Sequence, residues 1–224
     1  MCGEALARVD ESANLLRLFI EDLLDVTRIR EQKLRMEMED VDFAAVVSSA
    51  LEMTALSASG RGTVVRLDLA LEAAPLRGDR VRLLQVVWNL LSNAIKFTPP
   101  QGGIDVRLER DGDDARLSVM DTGAGISAEF APHVFELYRQ ADDSGSHLPG
   151  LGIGLSIVAQ IVKLHGGTVR VESPGLGRGS TFIVTLPLLP AVPADAATSS
   201  RVGRRSTTNR RADGRRTRKS EEPS

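Results

Sequence analysis

Cysteine is almost missing from this 224-residue chain, which has only Cys2. A single thiol builds neither a disulfide framework nor a cysteine-rich metal site, and such usage fits a reducing cytosol. Long apolar runs are missing too: none approaches the roughly 18 residues that span a bilayer. The N-terminus also lacks a signal-peptide core, so the expectation is a soluble, cytoplasmic chain with no membrane span. Net charge is small, −2. It conceals an asymmetry, because residues 191–224 hold nine Lys/Arg against four Asp/Glu, leaving −7 for the rest. That basic tail has almost no apolar residues and reads as disordered. Its charge suits nucleic acid or an acidic surface, but the plainer reading is a solvated tail, and no nucleic-acid partner is expected.

What is present is ordinary for one globular domain with extras: 42% apolar and 26% charged residues. Residues 5–32 contain no proline or glycine. Val9, Ala13, Leu16, Ile20 and Leu23 step by fours and threes along one helix face. Leu15, Phe19 and Val26 widen that face beyond a two-stranded seam. The helix therefore needs a mate, and nothing else in the chain resembles one.

Further on, the pattern predicts a strand at 38–41, a helix at 43–57 and a strand at 63–71. A helix over 78–98 follows, with Asp79 as N-cap and Pro99 and Pro100 beyond its end. Two strands, "IDVRLERDG" and "DARLSVMDTG", meet at a turn around Asp111, Gly112 and Asp113. A short helix at 127–137, a polar loop at 139–149, a glycine-opened helix stopped by Gly166 and Gly167, and two closing strands complete the domain. Strands in adjacent pairs argue for an α+β, two-layer α/β sandwich with a mixed, mostly antiparallel sheet covered by helices on one face. A doubly wound fold is the weaker alternative.

Three stretches carry chemistry. In "NLLSNAIKFTPP", Asn89 and Asn93 lie four apart on an apolar helix and so share a face. A buried amide without a partner costs about 1–3 kcal/mol, so these two should hold something. In "DTGAGI", Asp121 ends a strand where a carboxylate can accept a hydrogen bond from an amino group. Gly123 and Gly125 let a flat ring approach the backbone; the plain alternative is a strand-ending turn. In "PGLGIGLSIV", Gly150, Gly152 and Gly154 open a helix, a suitable place for phosphates. The run is neither a dinucleotide fingerprint nor a P-loop.

The order of these stretches resembles the Bergerat-type (GHKL) ATP-binding domain shared by sensor histidine kinases, DNA gyrase, heat-shock chaperones and mismatch-repair ATPases. The resemblance implies that Asn93 ligates an Mg²⁺ bridging the ATP phosphates and that Lys96 meets those phosphates. It further implies that Asp121 reads the adenine amino group, that Gly150, Gly152 and Gly154 cover the phosphates, and that Thr181 supports the adenine end through water. It extends the pocket to Asn89, Gly123, Gly125, Ile126, Tyr138, Leu151, Ile153 and Leu155. The gyrase, chaperone and mismatch-repair branches carry a glutamate at position 89 as general base; an amide cannot serve as one near neutral pH. ATP should be bound without efficient hydrolysis, which favours a kinase over an ATPase.

The flanks resemble a histidine kinase as well. "LLRLFIEDLLDVTRIREQKLRMEMEDVDFAAVVSSALE" is similar to the second helix of the dimerisation hairpin and its link to the catalytic domain, which sets an anti-sigma serine kinase aside. Tyr138 stands where "FExF" has its second phenylalanine, and the lid offers His147 in place of an arginine or lysine. The three histidines, His133, His147 and His165, sit in no phosphoacceptor motif, and His165 reads as structural. The implied organisation is a partial dimerisation helix (1–34), a histidine-kinase-type catalytic domain (35–190) and the tail (191–224). The implied function is phosphoryl transfer from ATP to a histidine on a hairpin in another chain or missing segment, with a response regulator receiver domain downstream and a possible homodimer through residues 5–32. Full-length relatives are often membrane-anchored. The alternative is a non-catalytic nucleotide-binding or dimerising regulator of histidine kinases.

Overall fold

The computed structural model describes residues 35–139 and 152–190; the 5–32 helix, most of the lid and the basic tail lie outside them. In chain order the elements are β1 (Glu39–Asp42), α1 (Phe43–Gly60), β2 (Val64–Leu69), β3 (Pro75–Gly78), α2 (Arg80–Phe97), β4 (Gly103–Asp111), β5 (Asp114–Asp121), a 3₁₀ turn (Ala131–His133), α3 (Gly154–Leu164), β6 (Thr168–Glu172) and β7 (Ser180–Pro187).

Five strands form the main sheet in the order β2-β4-β5-β7-β6. Only β2–β4 is parallel, and the other three pairings are antiparallel. The parallel pair follows from the connection, since α2 intervenes between β2 and β4 and provides the crossover that parallel neighbours need. β1 and β3 make a separate two-stranded antiparallel sheet. β3 was not expected from sequence, because four residues opening on a proline carry no readable alternation.

The helices present apolar faces at helical spacing: Phe43, Val46, Val47 and Ala50 on α1; Leu83, Val86, Val87, Leu90 and Leu91 on α2; Ile157, Val158, Ile161 and Val162 on α3. The sheet answers with every second residue, such as Ile104, Val106 and Leu108 on β4 and Ala115, Leu117 and Val119 on β5. Each large aliphatic side chain sealed here contributes roughly 1.5–3 kcal/mol. The opposite sheet face is charged and ion-paired. Arg116 and Arg107 hold the Glu109 carboxyl below the usual carboxylate range, the Arg116 hydrogen bond being the larger cause.

Caps fix the helix starts. Asp42 accepts from the Ala44 and Ala74 N–H groups, at 3.0 and 2.9 Å. Asp79 accepts from Val81 and Arg82 at 3.0 and 3.1 Å, and from Glu37 at 2.9 Å. The Asp79 N–H donates to His165 Nε2 at 3.0 Å, while His165 Nδ1 bonds the Ile161 carbonyl at 2.8 Å. An N–H donor obliges Nε2 to accept, so the Nδ1–H tautomer clamps the end of α3 to the start of α2. His165 has the structural place that its position suggested.

Two expectations need correction. The helix expected over 127–137 is only a 3₁₀ turn, Ala131–His133. Pro132 supplies no N–H, and the neighbouring turns close on Ser127 and Phe130 carbonyls instead. Second, α1 is long and apolar enough to cross a membrane by length and composition, although no run had been expected to approach that. Serines and a threonine interrupt its apolar residues in the sequence, and three of their hydroxyls bond backward to carbonyls: Ser48 to Ala44, Ser49 to Ala45 and Thr54 to Ala50. In the fold it is a core helix, with Phe43, Val46, Val47 and Ala50 sealed from solvent.

Candidate functional site

β5 pairs with β7 so that Asp121 lies opposite Ser180. Asp121 shares the inward face with Val119 and Leu117 and is buried. Both carboxylate oxygens are engaged: Oδ1 accepts the Gly123 N–H at 2.8 Å and Oδ2 accepts the Ser180 hydroxyl at 2.5 Å. This fixes the plane of the carboxylate while leaving lone pairs for one more donor. Thr181, the residue expected to support the adenine end, is not beside it. Strand alternation turns it to the opposite face, opposite Met120. The hydroxyl beside the carboxylate is that of Ser180, which sequence reasoning missed. The usable signal was Phe182: once it is taken as core, period two puts Ser180 on the inward face.

Gly123 and Gly125 are required by close backbone approach. A Cβ on Gly123 would fall 2.4 Å from the Phe97 carbonyl oxygen, and one on Gly125, whose φ is +65°, 2.1 Å from the Gly175 carbonyl oxygen. Ala124 N–H donates to Phe97 O at 3.1 Å, joining the loop after β5 to the end of α2. Gly177 and Gly179 donate back to Ala124 and Gly123, and Ile126 N–H donates to Ser173 Oγ. The loop is thus held on both sides, and the turn before β7 is part of its frame.

Across from it, α2 carries Asn89, Asn93 and Lys96. Asn89 is 6% exposed, and its Nδ2 has no hydrogen-bond partner among the described residues. Its Oδ1 lies against Gly154, where a Cβ would come within 2.7 Å. An orphaned buried donor beside a glycine-opened helix is an unsatisfied arrangement that an acceptor would complete. Asn93 is half-buried one turn on. Burial lowers the Lys96 pKa from the ordinary lysine value, and its ammonium sits 4.7 Å from the Phe97 ring centroid.

The third wall is the start of α3. Unlike α1 and α2, it has no side-chain cap, so its first N–H groups stay available to an anion. Ile153 is buried in the core and Leu155 packs against it. Gly152, at φ +65°, comes so close to Arg139 that a Cβ would lie 2.7 Å from that residue's carbonyl oxygen. Tyr138 N–H donates to Gly152 O at 3.0 Å, and Tyr138 itself adopts φ 61°. The two ends of the lid are therefore pinned together. Gly150, Leu151 and His147 lie outside the described residues. His133 is exposed and bonds Glu136 at 2.8 Å. No cluster of His, Cys, Asp or Glu able to hold a metal occurs among the described residues. Any cation here would rest on amide oxygens and its own ligand's oxygens.

A rigid acidic strand end, an asparagine-bearing helix and an uncapped glycine-opened helix define a nucleotide-binding α/β sandwich. Residues 78–190 match the family described as histidine kinase-, DNA gyrase B- and HSP90-like ATPase. The chain is 35% identical to the circadian input-output histidine kinase CikA of Synechococcus elongatus, over 82% of this chain and 25% of that protein. It is 34% identical to the aerobic respiration control sensor protein ArcB of Escherichia coli, over 81% and 24%. Among solved structures, the mycobacterial sensor histidine kinase MprB superimposes with a TM-score of 0.61 at 32% identity, covering 69% of this chain and 99% of that one. Full-length ShkA in complex with AMPPNP gives 0.70 at 28% identity, covering 82% and 38%. The chain belongs to this ATPase family and carries the ATP-binding domain of two-component histidine kinases. It spans about a quarter of the length of the curated relatives named here.

Proposed function

We propose that this chain is the ATP-binding catalytic portion of a sensor histidine kinase, passing the γ-phosphoryl group to a histidine on a hairpin from another chain or segment. The observation that carries the reading is the Asp121 carboxylate, held by Ser180 and Gly123 beside a floor that only glycine permits. Such a carboxylate accepts from the adenine amino group while the flat base lies over Gly123 and Gly125. Asn93, Lys96 and the uncapped start of α3 serve the phosphates, with Gly150 and Leu151 expected in the lid above them. Asn89 offers its unpartnered Nδ2 to a phosphate oxygen. Asn93 Oδ1 is a hard oxygen donor fit for Mg²⁺, which takes few protein ligands and keeps phosphate oxygens and waters. That ion, when bound, neutralises charge on the transferred group.

With an amide at position 89, no described side chain there serves as a general base for water, so transfer to an imidazole is favoured over hydrolysis. His133, exposed beside Glu136, and His165, in its structural clamp, sit in no phosphoacceptor motif, so the acceptor is assigned to the separate hairpin. A receiver domain on a response regulator is the downstream partner.

Titration with a fluorescent ATP analogue tests the site. Asp121→Ala and Asn93→Ala should each weaken binding roughly tenfold or more, as loss of charge-assisted contacts does. Removing Mg²⁺ with a chelator should weaken the wild type but not Asn93→Ala. Unchanged affinity in both variants sinks the assignment.

A further inference from the structure

β2 is an edge strand. The Val64 N–H bonds back to Gly102 O, so by two-residue alternation the main-chain groups of Val65, Leu67 and Leu69 face away from β4. Among the described residues no strand covers them. An open edge of this kind is a template for another strand.

Three features bear on what fits it. First, the helix layer leaves the edge uncovered: a groove of about 570 Å³ opens between α1 and β2, lined by Leu51, Thr54, Ala55, Ala58, Val65 and Leu67. Second, apolar side chains of the strand itself stand out, with Val64 51% and Leu67 43% exposed. Third, the strand is self-complementary. Reading "VRLDL" (65–69) against a reversed copy centred on Leu67 puts Val65 opposite Leu69, Arg66 opposite Asp68, and Leu67 opposite itself. In that register the outward-facing residues 65, 67 and 69 form the hydrogen-bonded pairs. Arg66 and Asp68 fall in the closer, non-hydrogen-bonded pairs, where opposite charges attract. A shift by one residue in the sum of paired positions would match outward-facing with inward-facing main chain. A shift by two would set Arg66 opposite itself or Asp68 opposite itself.

We propose that the β2 edge is an interface for a second copy of this chain, with β2 pairing antiparallel to β2 of the partner about a two-fold axis at Leu67. The two five-stranded sheets then continue into one, and the two α1 helices lie on the same side. The two grooves flank the axis. This surface shares no residue with the nucleotide site, so the proposal stands whether or not the proposed function does.

Oxidative cross-linking of the full chain tests it, with Cys2→Ser removing the native thiol. Leu67→Cys faces its own copy at a Cα separation of about 5.5 Å, within disulfide reach, and should cross-link. Val65→Cys and Leu69→Cys alone lie about 13 Å from their copies and should not, whereas an equimolar mixture of the two should. Charge reversal gives a second, independent arm. Arg66→Glu or Asp68→Lys in the Leu67→Cys background sets like charges opposite each other twice and should cut cross-linking roughly tenfold. Mixing those two variants restores opposite charges at both pairs and should recover it, although each keeps its altered contact to Asp105 or Arg107 on β4. Recovery on mixing also shows that both variants fold. Cross-linking of Val65→Cys as readily as Leu67→Cys, or none by Leu67→Cys with wild-type charges at hundreds of micromolar chain, overturns the proposal.

Discussion

Ser180→Ala is the substitution whose effect the structure sizes most directly. The Ser180 hydroxyl donates to Asp121 Oδ2 at 2.5 Å, and both residues are buried, at 7% and 5% exposure. Truncation leaves one oxygen of a buried carboxylate without its donor. A hydrogen bond to a charged group is worth about 1.5–3 kcal/mol, and an unmatched buried acceptor incurs its desolvation cost. The expected loss of folding stability is therefore about 2 kcal/mol, read as a lower urea midpoint at unchanged slope. Nucleotide affinity should fall with it, because Gly123 N–H alone no longer fixes the carboxylate plane. Thr181→Val is the control: it keeps the strand shape and removes a hydroxyl on the opposite face, and should change stability by no more than about 0.5 kcal/mol. If Thr181→Val weakens ATP-analogue binding and Ser180→Ala does not, the placement of these two residues is wrong.

Other outcomes follow from the same geometry. Gly123→Ala drives a Cβ to 2.4 Å from the Phe97 carbonyl oxygen and should destabilise by about 1–3 kcal/mol in urea unfolding. Gly60→Ala, with nothing within 4 Å of its new Cβ, should be neutral or stabilising by up to about 1 kcal/mol. Lys96 is lowered from the ordinary lysine value by burial, so the unfolded chain holds that proton to higher pH. Stability should accordingly rise with pH between the folded and unfolded values. Bound phosphate favours the charged form, so ATP affinity should fall as pH climbs through the same window, and Lys96→Met should abolish that fall in a pH series of titrations.

The alternation of β4, β5 and β7 and the helical spacing of α1 to α3 were legible because one face of each element is buried and the apolar period shows it. The short β3 carried no period, and Pro132 withheld a helix that the apolar residues around it suggested. At the site, the chemistry of Asn89, Asp121 and the glycines could be read from residue type. What could not be read was which of two adjacent hydroxyls meets Asp121, since "GST" offers both and only register against β5 decides. The Gly123 and Gly125 contacts to Phe97 and Gly175 are also out of reach of a local reading, because they join segments 26 and 50 residues apart. Asp79, expected as the α2 cap, turned out to anchor His165 as well, a link spanning 86 residues.

The central claim is that this site transfers phosphate to a histidine it does not itself carry. The direct measurement incubates the full chain and Mg-[γ-³²P]ATP with a separately supplied dimerisation hairpin bearing a phosphoacceptor histidine. Acid-labile, alkali-stable label should appear on the hairpin, should vanish with Asp121→Ala, and should be absent from the chain alone. Label on the chain itself, or rapid release of free phosphate with no label on the hairpin, contradicts the account.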